Sequence, residues 1–460
     1  FTDEEIKKGM VKGISEGNIV PVCSSAFQLG HGIEGLLDLL IEYVPTPLQH
    51  GPYRGFNDKN EPVERISVTD APMSAFVFKT IIDPFVGKIS VMKVITGKIN
   101  SGTEVYNERI GKTEKLGKLF FLRGKEQLEL NYAEAGDIVA VAKLQNTKSG
   151  DTLCDKSDVI RYLPLDFPSP TYYIAIEALD KNDDEKMGVG LARLREEDPS
   201  FVVERNSETH QTLLGGQGDI QLGIILAKLK DRFGVSVKTV PQKIAYRETI
   251  KGSSDVQGKH KKQSGGAGQY GDVHIRFSPS DKEFEFSEEL FGGSIPKNYV
   301  PAVEKGLIES LEKGPLAGCK VVNIKAVLYD GSYHDVDSNE VSFKIAASLA
   351  FKKGIVEANP CLLEPIMHVE ITVPDEYMGD VIGDMNKRRG KILGMEPLSN
   401  GGQKVVAEAP QAELFDYALG LRSMTQGRGV FEMKFERYEE LPKHLAEKII
   451  AQHSAENEAK

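Results

Sequence analysis

The order of predicted strands and helices repeats within the chain, and this repeat constrains the fold more than any other feature. The first copy predicts strand 172–178, helix 187–197, strands 201–205 and 211–214, helix 219–233 and strand 235–240. The second copy predicts strand 367–373, helix 375–389, strands 390–396 and 405–408, helix 411–422 and strand 429–435. This βαββαβ order is that of the ferredoxin-like split unit. We therefore expect two ferredoxin-like domains, although their residues show little similarity.

Residues 70–163 have the pattern of an all-β domain. Short strand candidates are separated by Gly and Asp turns at the spacing typical of a barrel. The candidates are 74–81, 87–96, 104–107, 115–121, 127–130 and 137–143.

The first fifty residues predict the end of an α/β domain. Thr2 begins a helix that continues to Ser15, Asn18–Val22 has the apolar run of a buried parallel strand, and Ile33–Tyr43 predicts an apolar helix. These elements cannot bury a core alone. We expect the rest of that domain to precede residue 1.

Residues between the two repeats mix helices, strands and loops. They predict a glycine-rich basic loop 259–271, helix 300–312, strand 320–329, polar loop 330–340 and helix 341–357. A last helix over 442–452, followed by a polar tail, completes the chain. The expected division is 1–50, 51–165, 166–248, 249–365, 366–440 and 441–460.

Composition narrows the class of protein. There are 57 Lys and Arg against 68 Asp and Glu, a net charge of −11, whereas a non-specific polyelectrolyte binder would be basic. Any RNA contact must therefore use local basic patches. No apolar run reaches the roughly 18 residues of a membrane span, and there is no signal-peptide pattern. The four cysteines have neither zinc nor redox-pair spacing, so we expect thiols in the reducing cytoplasm.

The segment Lys259–Gly271 is a candidate contact for nucleic acid. It combines a basic run with four glycines among residues 265–271, which allow backbone N–H groups to approach a polyanion. Tyr270 could stack on a base, and Gly265–Gly268 fits a short GxxG pattern. The alternative is a flexible glycine hairpin with solvated lysines.

The polar segment 329–340 contains His334 close to Asp335 and Asp337. Such a group could suggest acid–base or metal chemistry, but no second His or ligand set of fixed spacing accompanies it. Asp337–Ser338, with Glu340 after it, is more simply a helix N-cap. We favour a contact role for His334 as a flat donor and stacker.

Two further basic turns are candidates for phosphate contacts. They contain Lys387, Arg388 and Arg389 in one segment and Arg428 in the other. The alternative is that these cations lie at helix C-termini, where the helix dipole favours them. No P-loop occurs in the sequence.

Taken together, these segments resemble elongation factor G, a family of bacterial translational GTPases, over essentially the whole chain. The segments that carry the resemblance are Gly218–Leu222, His260–Gly271, Asp330–Ser338, Glu364–Met367, Tyr377–Asp384 and Arg422–Gly429.

The resemblance implies a multidomain α/β and α+β protein with domains two to five of a five-domain factor. The chain would consist of a GTPase-domain remnant followed by a β-barrel domain II, a ferredoxin-like domain III, a ribosomal-protein-S5-like domain IV and a ferredoxin-like domain V. Ser25 and Ala26 match the guanine-contacting loop, whereas the P-loop and switch regions would precede residue 1. GTP and Mg would therefore serve the full-length protein, and this chain alone would neither bind GTP tightly nor hydrolyse it.

The resemblance also implies a function and a contact site. The full-length protein would be a ribosome-stimulated GTPase that promotes translocation of tRNA and mRNA, as a monomer acting on rRNA, ribosomal proteins and the A-site tRNA–mRNA. The domain IV tip would contact them through Ser264, Gly265, Gly266, Ala267, Gly268, Gln269, His334, Asp335 and Asp337. Lys387, Arg388, Arg389 and Arg428 would be further rRNA contacts, and the chain would hold no catalytic residue and no metal.

Departures from the family pattern suggest a paralogue. Ala267 stands where Arg is usual, and Asp219 and Gln221 replace Glu and His. The alternatives are a recycling factor, a tetracycline ribosome-protection factor, and a stand-alone RNA-binding module. A hydrolase that uses His334 and Asp337 would lack a metal or nucleophile set.

Overall fold

The computed structural model describes residues 1–83, 85–124, 126–263, 268–399 and 401–458. The helices are α1 Asp3–Ser15, α2 Ile33–Tyr43, α3 Asp184–Glu197, α4 Asp219–Phe233, α5 Val300–Leu311, α6 Glu340–Glu357, α7 Met378–Lys387, α8 Tyr417–Met424 and α9 Lys443–Glu458. Among these described helices, none combines the length and apolar character that crossing a bilayer requires.

The strands alternate with these helices only in parts of the chain. They are β1 Tyr53–Phe56, β2 Pro62–Arg65, β3 Ser74–Asp83, β4 Gly87–Thr96, β5 Lys98–Asn100, β6 Glu104–Asn107, β7 Lys112–Lys115, β8 Leu119–Arg123, β9 Glu126–Leu130, β10 Tyr132–Glu134, β11 Ile138–Ala142, β12 Thr152–Cys154, β13 Arg161–Tyr162, β14 Tyr172–Ala178, β15 Val202–Arg205, β16 Thr212–Gly216, β17 Val237–Val240, β18 Arg247–Ile250, β19 Ser254–Lys262, β20 Gln269–Pro279, β21 Phe284–Glu288, β22 Lys320–Val321, β23 Ile324–Ser332, β24 Pro360–Pro374, β25 Lys391–Pro397, β26 Gly402–Pro410 and β27 Val430–Glu440.

The chain forms two compact units. One contains residues 1–170, 178–203 and 219–238, and the other contains residues 171–177, 204–218 and 239–460. Each is described below by itself.

The first unit begins with α1 and α2. A capping box starts α1, because the Thr2 hydroxyl accepts from the Glu5 amide and the Glu5 side chain accepts from the Thr2 amide. The strand predicted over Asn18–Val22 is wrong: this segment is irregular, and Val20 and Val22 are exposed. A buried parallel strand needs neighbouring strands on both sides, and no described strand pairs with it.

The barrel-like part of the first unit follows. One sheet has the strand order β7-β6-β12-β3-β4-β11-β8-β9, and β5 pairs with β10 over the same core. Strand β4 has the predicted bounds. The single strand predicted over 115–121 is wrong, because the chain turns at Leu116, whose buried side chain enters the core and whose amide donates to Thr103.

Helices α3 and α4 contact each other in the first unit through charged groups. The Glu197 carboxylate accepts from Lys228 at 2.6 Å and from Arg232 at 2.7 Å. Its second oxygen also accepts from the Ile82 amide on β3. Glu197 thus joins both helices to the barrel.

Most of a sheet with the order β15-β16-β14-β17 belongs to the second unit. This unit also contains a larger sheet with the order β22-β18-β24-β26-β25, in which β27 pairs with β24. The four strands β25, β26, β24 and β27 therefore lie in the same relative order as β15, β16, β14 and β17. The long strand β24 passes through residue 365, where the expected division separates two domains.

The hairpin of β19 and β20 dominates the middle of the second unit. Its pairing runs from Ser254 opposite Phe277 to Lys262 opposite Gln269, and β23 continues the sheet to Ser332. The loop predicted over 259–271 is strand over 259–262 and 269–271. The predicted loop 330–340 starts three residues too early, because β23 continues to Ser332. Both errors arise because cross-strand hydrogen bonds order polar residues that have no strand pattern of their own.

In the last part of the second unit, the helices begin or end at residues other than those predicted. Asp375–Tyr377 and Gln411–Glu413 are 3₁₀ turns that precede α7 and α8. Helix α9 continues to Glu458, so the predicted polar tail is helical over residues 453–458. Its apolar residues Leu445, Ala446, Ile449 and Ile450 pack on a small core around Leu362 and Leu441.

Candidate nucleic-acid interface

Two chain segments meet at the end of the β19–β20 hairpin. We call this region the tip, and it comprises the described residues 259–263, 268–272 and 332–339. Tyr270 and Ser338 form a parallel bridge there, and the Ser338 hydroxyl donates to the Tyr270 carbonyl at 2.9 Å. The two segments are therefore one structural unit.

Asp337 forms two further hydrogen bonds between the two segments. Its carboxylate accepts from the Gly268 amide at 2.9 Å, and its backbone carbonyl accepts from the Tyr270 amide at 2.9 Å. A Cβ at residue 268 would lie 2.8 Å from the Asp337 carboxyl carbon. Only glycine therefore allows this approach without movement of the Asp337 side chain.

His334 is exposed at the tip, with 56 % of its side chain accessible. Its Nδ1 accepts from the amides of Val336 at 3.3 Å and Asp337 at 3.2 Å. Because an acceptor Nδ1 assigns the proton of the neutral ring to Nε2, the ring presents an N–H donor away from its own loop. The contact role of His334 as a flat donor stays a prediction.

The His334–Asp337 pair is not arranged as a catalytic dyad. Nδ1 lies 3.4 Å from an Asp337 oxygen, but it already accepts from the loop, and the carboxylate is held by Gly268. Within the part of the chain that the structure describes, no cluster of three or more His, Cys, Asp or Glu could hold a metal ion.

Basic side chains surround the hairpin end. Lys259, Lys261 and Lys262 are exposed, and Lys259 Nζ lies 5.6 Å from the centre of the Tyr270 ring. His260 Nε2 lies 2.8 Å from the exposed Gln269 side chain. These groups supply local positive charge on an acidic protein.

The structure describes five of the nine predicted tip residues, which include His334. Ser264, Gly265, Gly266 and Ala267 lie outside the described residues. Gly268 is buried, Gln269 and Asp335 are exposed, and Asp337 is partly buried.

The predicted rRNA contacts divide into two kinds. Arg388 donates to Asp384 and Asp416 and lies over the Tyr417 ring, and Arg389 pairs with the buried Glu364. Lys387 is exposed, and the exposed Arg428 donates to Glu376 and Tyr377. The charges of Arg388 and Arg389 are therefore paired within the fold, and their contact with rRNA stays a prediction.

The Ser25–Ala26 segment is an exposed turn. The Ala26 amide donates to the His31 carbonyl at 3.0 Å. A Cβ at Gly32 would lie 2.6 Å from the Ser24 carbonyl oxygen, and Gly32 has a φ of 78°. The Ala26 amide is thus hydrogen-bonded within its own loop, and a guanine contact through Ser25 and Ala26 stays a prediction.

Sequence reasoning missed a buried polar chain below the tip. The Tyr270 hydroxyl lies 2.8 Å from Ser332 Oγ, which donates to the Asp272 carboxylate at 2.7 Å. Asp272 is only 5 % exposed and also accepts from Gln257 at 2.8 Å. Nothing in the alternation of β20 distinguishes Asp272 from an exposed residue.

The helix N-cap was assigned to the wrong residues. Asn339, not Asp337 or Ser338, caps α6 by accepting from the Ser342 amide at 2.9 Å. Asp337 and Ser338 are instead used by Tyr270 and Gly268, and these long-range contacts have no local sequence signal.

Four family models match the chain in succession. They are described as elongation factor G domain 2 over residues 72–156, elongation factor G domain III over 167–241, elongation factor G domain IV over 241–359 and elongation factor G C-terminus over 361–449.

A solved structure is similar over nearly the whole chain. It is a crystal structure of a protein from Thermus thermophilus, with 36 % sequence identity and a TM-score of 0.78. The match covers 99 % of this chain and 66 % of that one, so the chain spans just under two thirds of the length of this relative. With four consecutive domain models and this structural likeness, the chain belongs to the elongation factor G family.

Proposed function

We propose that the full-length protein is an elongation factor that promotes GTP-dependent translocation of tRNA and mRNA on the ribosome. In this proposal the tip enters an RNA cleft next to the A-site tRNA and acts by steric and hydrogen-bonding contacts. The observation that carries it is the exposed His334 ring, which its own loop holds with one N–H directed outward.

The charge distribution supports the same proposal. Lys259, Lys261 and Lys262 are exposed on the hairpin, whereas the chain as a whole has a net charge of −11. Local cations attract phosphates at short range, and the acidic remainder limits non-specific binding to RNA. This combination suits a factor that must leave the RNA after each cycle.

The proposal gives each part of the chain a place in the factor. Residues 1–50 would be the end of the GTPase domain, 51–165 domain II, 166–248 a ferredoxin-like domain III, 249–365 an S5-like domain IV and 366–440 a ferredoxin-like domain V. Residues 441–460 would be a C-terminal helix and tail. GTP and Mg would bind the full-length protein.

Lys387 and Arg428 are the better candidates for additional rRNA contacts. Both are exposed, and a phosphate could compete with the exposed Glu376 for Arg428. Arg388 and Arg389 would have to abandon contacts within the fold to reach RNA.

A toeprint assay on pre-translocation ribosomes tests the proposal. The full-length protein is added with GTP and, separately, with a non-hydrolysable analogue. We expect the mRNA to advance by one codon, faster with GTP. In that case the departure at Ala267 would tune the activity.

A protein that binds the ribosome but does not advance the mRNA would contradict the proposal. Ribosome-splitting and tetracycline-release assays would then distinguish a recycling factor from a protection factor. Binding to isolated RNA without any GTP dependence would indicate a stand-alone RNA-binding module.

A further inference from the structure

Tyr270 is the point at which the contacts of the tip converge. Its amide donates to Asp337 and its carbonyl accepts from Ser338. Its ring centre lies 6.4 Å from that of His334, and its hydroxyl reaches Ser332. The backbone of Tyr270 is therefore held by residues 337–338, while its side chain connects the surface to the interior.

The interior end of this connection is Asp272. Because Ser332 Oγ donates its proton to Asp272, the same oxygen is left to accept from the Tyr270 hydroxyl. The chain thus runs in one direction, from the Tyr270 hydroxyl through Ser332 to the carboxylate. Gln257 and Lys259, with Lys259 Nζ 3.8 Å from the carboxylate, supply its remaining contacts.

We propose that Tyr270 is the positioning residue for His334, and that Asp272 holds Tyr270 in place through Ser332. This inference rests on the proposed function. Charge-assisted hydrogen bonds to a buried carboxylate are stronger than neutral ones, so the rotamer of Tyr270 is set by Asp272. The Tyr270 ring then limits the orientations available to the His334 ring. Tyr270 need not touch RNA for this role.

A double-mutant cycle tests the connection in the full-length protein. Tyr270→Phe removes the hydroxyl and keeps the ring, and Ser332→Ala removes the intermediate oxygen. Each variant should slow single-turnover translocation by about two- to tenfold, the effect of one hydrogen bond. Because both changes break the same connection, the double variant should be no slower than either single variant.

Two matched variants sharpen the result. Ser332→Thr keeps the hydroxyl, so its translocation rate should equal that of the unchanged protein. Tyr329→Phe removes a similar hydroxyl, which donates to Asp255 of β19 at 2.7 Å, and should leave the rate unchanged. Additive effects in the double variant, or an equal loss in Tyr329→Phe, would overturn the proposal.

A measurement without ribosomes separates this inference from the proposed function. The ring resonances of His334 in selectively labelled protein should move in Tyr270→Phe and Ser332→Ala, but not in Tyr329→Phe. Unchanged His334 resonances in Tyr270→Phe would refute the positioning role, even if Ser332→Ala did not fold. Shifted resonances in a protein that fails to advance mRNA would support the positioning role and contradict only the translocation proposal.

Discussion

His334 has two ring nitrogens with different tasks. Nδ1 is occupied by amides of its own loop, and Nε2 is directed away from it. A side chain held in this way presents its donor without first losing conformational freedom, which lowers the cost of a contact.

We predict that His334→Ala in the full-length protein slows translocation by about ten- to hundredfold, since a contact that positions the reacting partners is lost. Ribosome-stimulated GTP hydrolysis should change little, because the tip holds no nucleotide-binding residue. Rapid-kinetic assays of both activities check this. An equal loss of both activities would contradict the role assigned to His334.

The pKa of the partly buried Glu197 carboxyl depends more on its hydrogen-bond partners than on its burial. Burial alone would raise the pKa of Glu197, but hydrogen bonds from Lys228 and Arg232 hold that pKa below its ordinary value. A carboxyl with a lowered pKa stabilises the fold at pH values above its ordinary range. This stabilisation is lost as the pH falls through the lowered value.

We predict that Glu197→Gln lowers the free energy of unfolding by about 1–2 kcal/mol at pH 7. The difference from the unchanged protein should shrink as the pH falls below about 4. Urea unfolding followed by circular dichroism at several pH values measures it. A difference that stays constant with pH would show that the Glu197 charge is not responsible.

At the scale of elements, the β19–β20 hairpin lies directly on α6. Gly258 permits this approach, because a Cβ there would overlap the Ala346 carbonyl oxygen and lie 2.6 Å from the Ala350 nitrogen. Gly271 approaches the start of the same helix, where a Cβ would lie 2.5 Å from the Ser342 carbonyl oxygen. The hairpin that carries the tip is thus fixed by backbone contact with the helix.

We predict that Gly258→Ala destabilises the second unit by about 2–3 kcal/mol, since helix and strand backbones must separate. Gly383→Ala is the matched control, because Gly383 is an exposed residue of α7 with no atom within 4 Å of a Cβ. It should stabilise the protein by about 0.5–1 kcal/mol. Thermal unfolding compares the two, and equal effects would contradict the close approach.

At this scale the sequence predicted the bounds of apolar helices and strands better than the structure of the polar segments between them. Helix α2 and strand β4 have the predicted bounds, because apolar periodicity and turn residues are local signals. The region 259–271 was predicted as a loop because Lys, His and Gly have low strand preference. Pairing with β20 and contact with α6 overrode that preference.

At the scale of the whole molecule, the last helix completes a small core of the second unit. Leu445, Ala446, Ile449 and Ile450 of α9 pack on a core that includes Leu362, and Cys319 packs on the same core. Burial raises the pKa of the Cys319 thiol to about 12. This thiol therefore reports on whether α9 is in place.

We predict that removal of residues 442–460 exposes Cys319 and increases its labelling by a disulfide reagent at pH 8 by more than about tenfold, because a less buried thiol ionises more readily. The measurement uses a protein with Cys23→Ser and Cys361→Ser. The fully buried Cys154 serves as the internal reference. Unchanged labelling of Cys319 would show that α9 does not shield this core.

The sequence by itself determined the family, the repeated βαββαβ order and the position of His334 in a polar segment, because motifs and periodicity are properties of neighbouring residues. Only the tertiary structure decided that Asn18–Val22 is not a strand, that Arg388 and Arg389 are used inside the fold, and that Asp272 lies beneath the tip. The physical reason is that strand pairing, ion pairs and burial depend on partners tens to hundreds of residues away. Tyr270 shows the difference most clearly, since its hydroxyl and its ring acquire their roles only from residues 332 and 334.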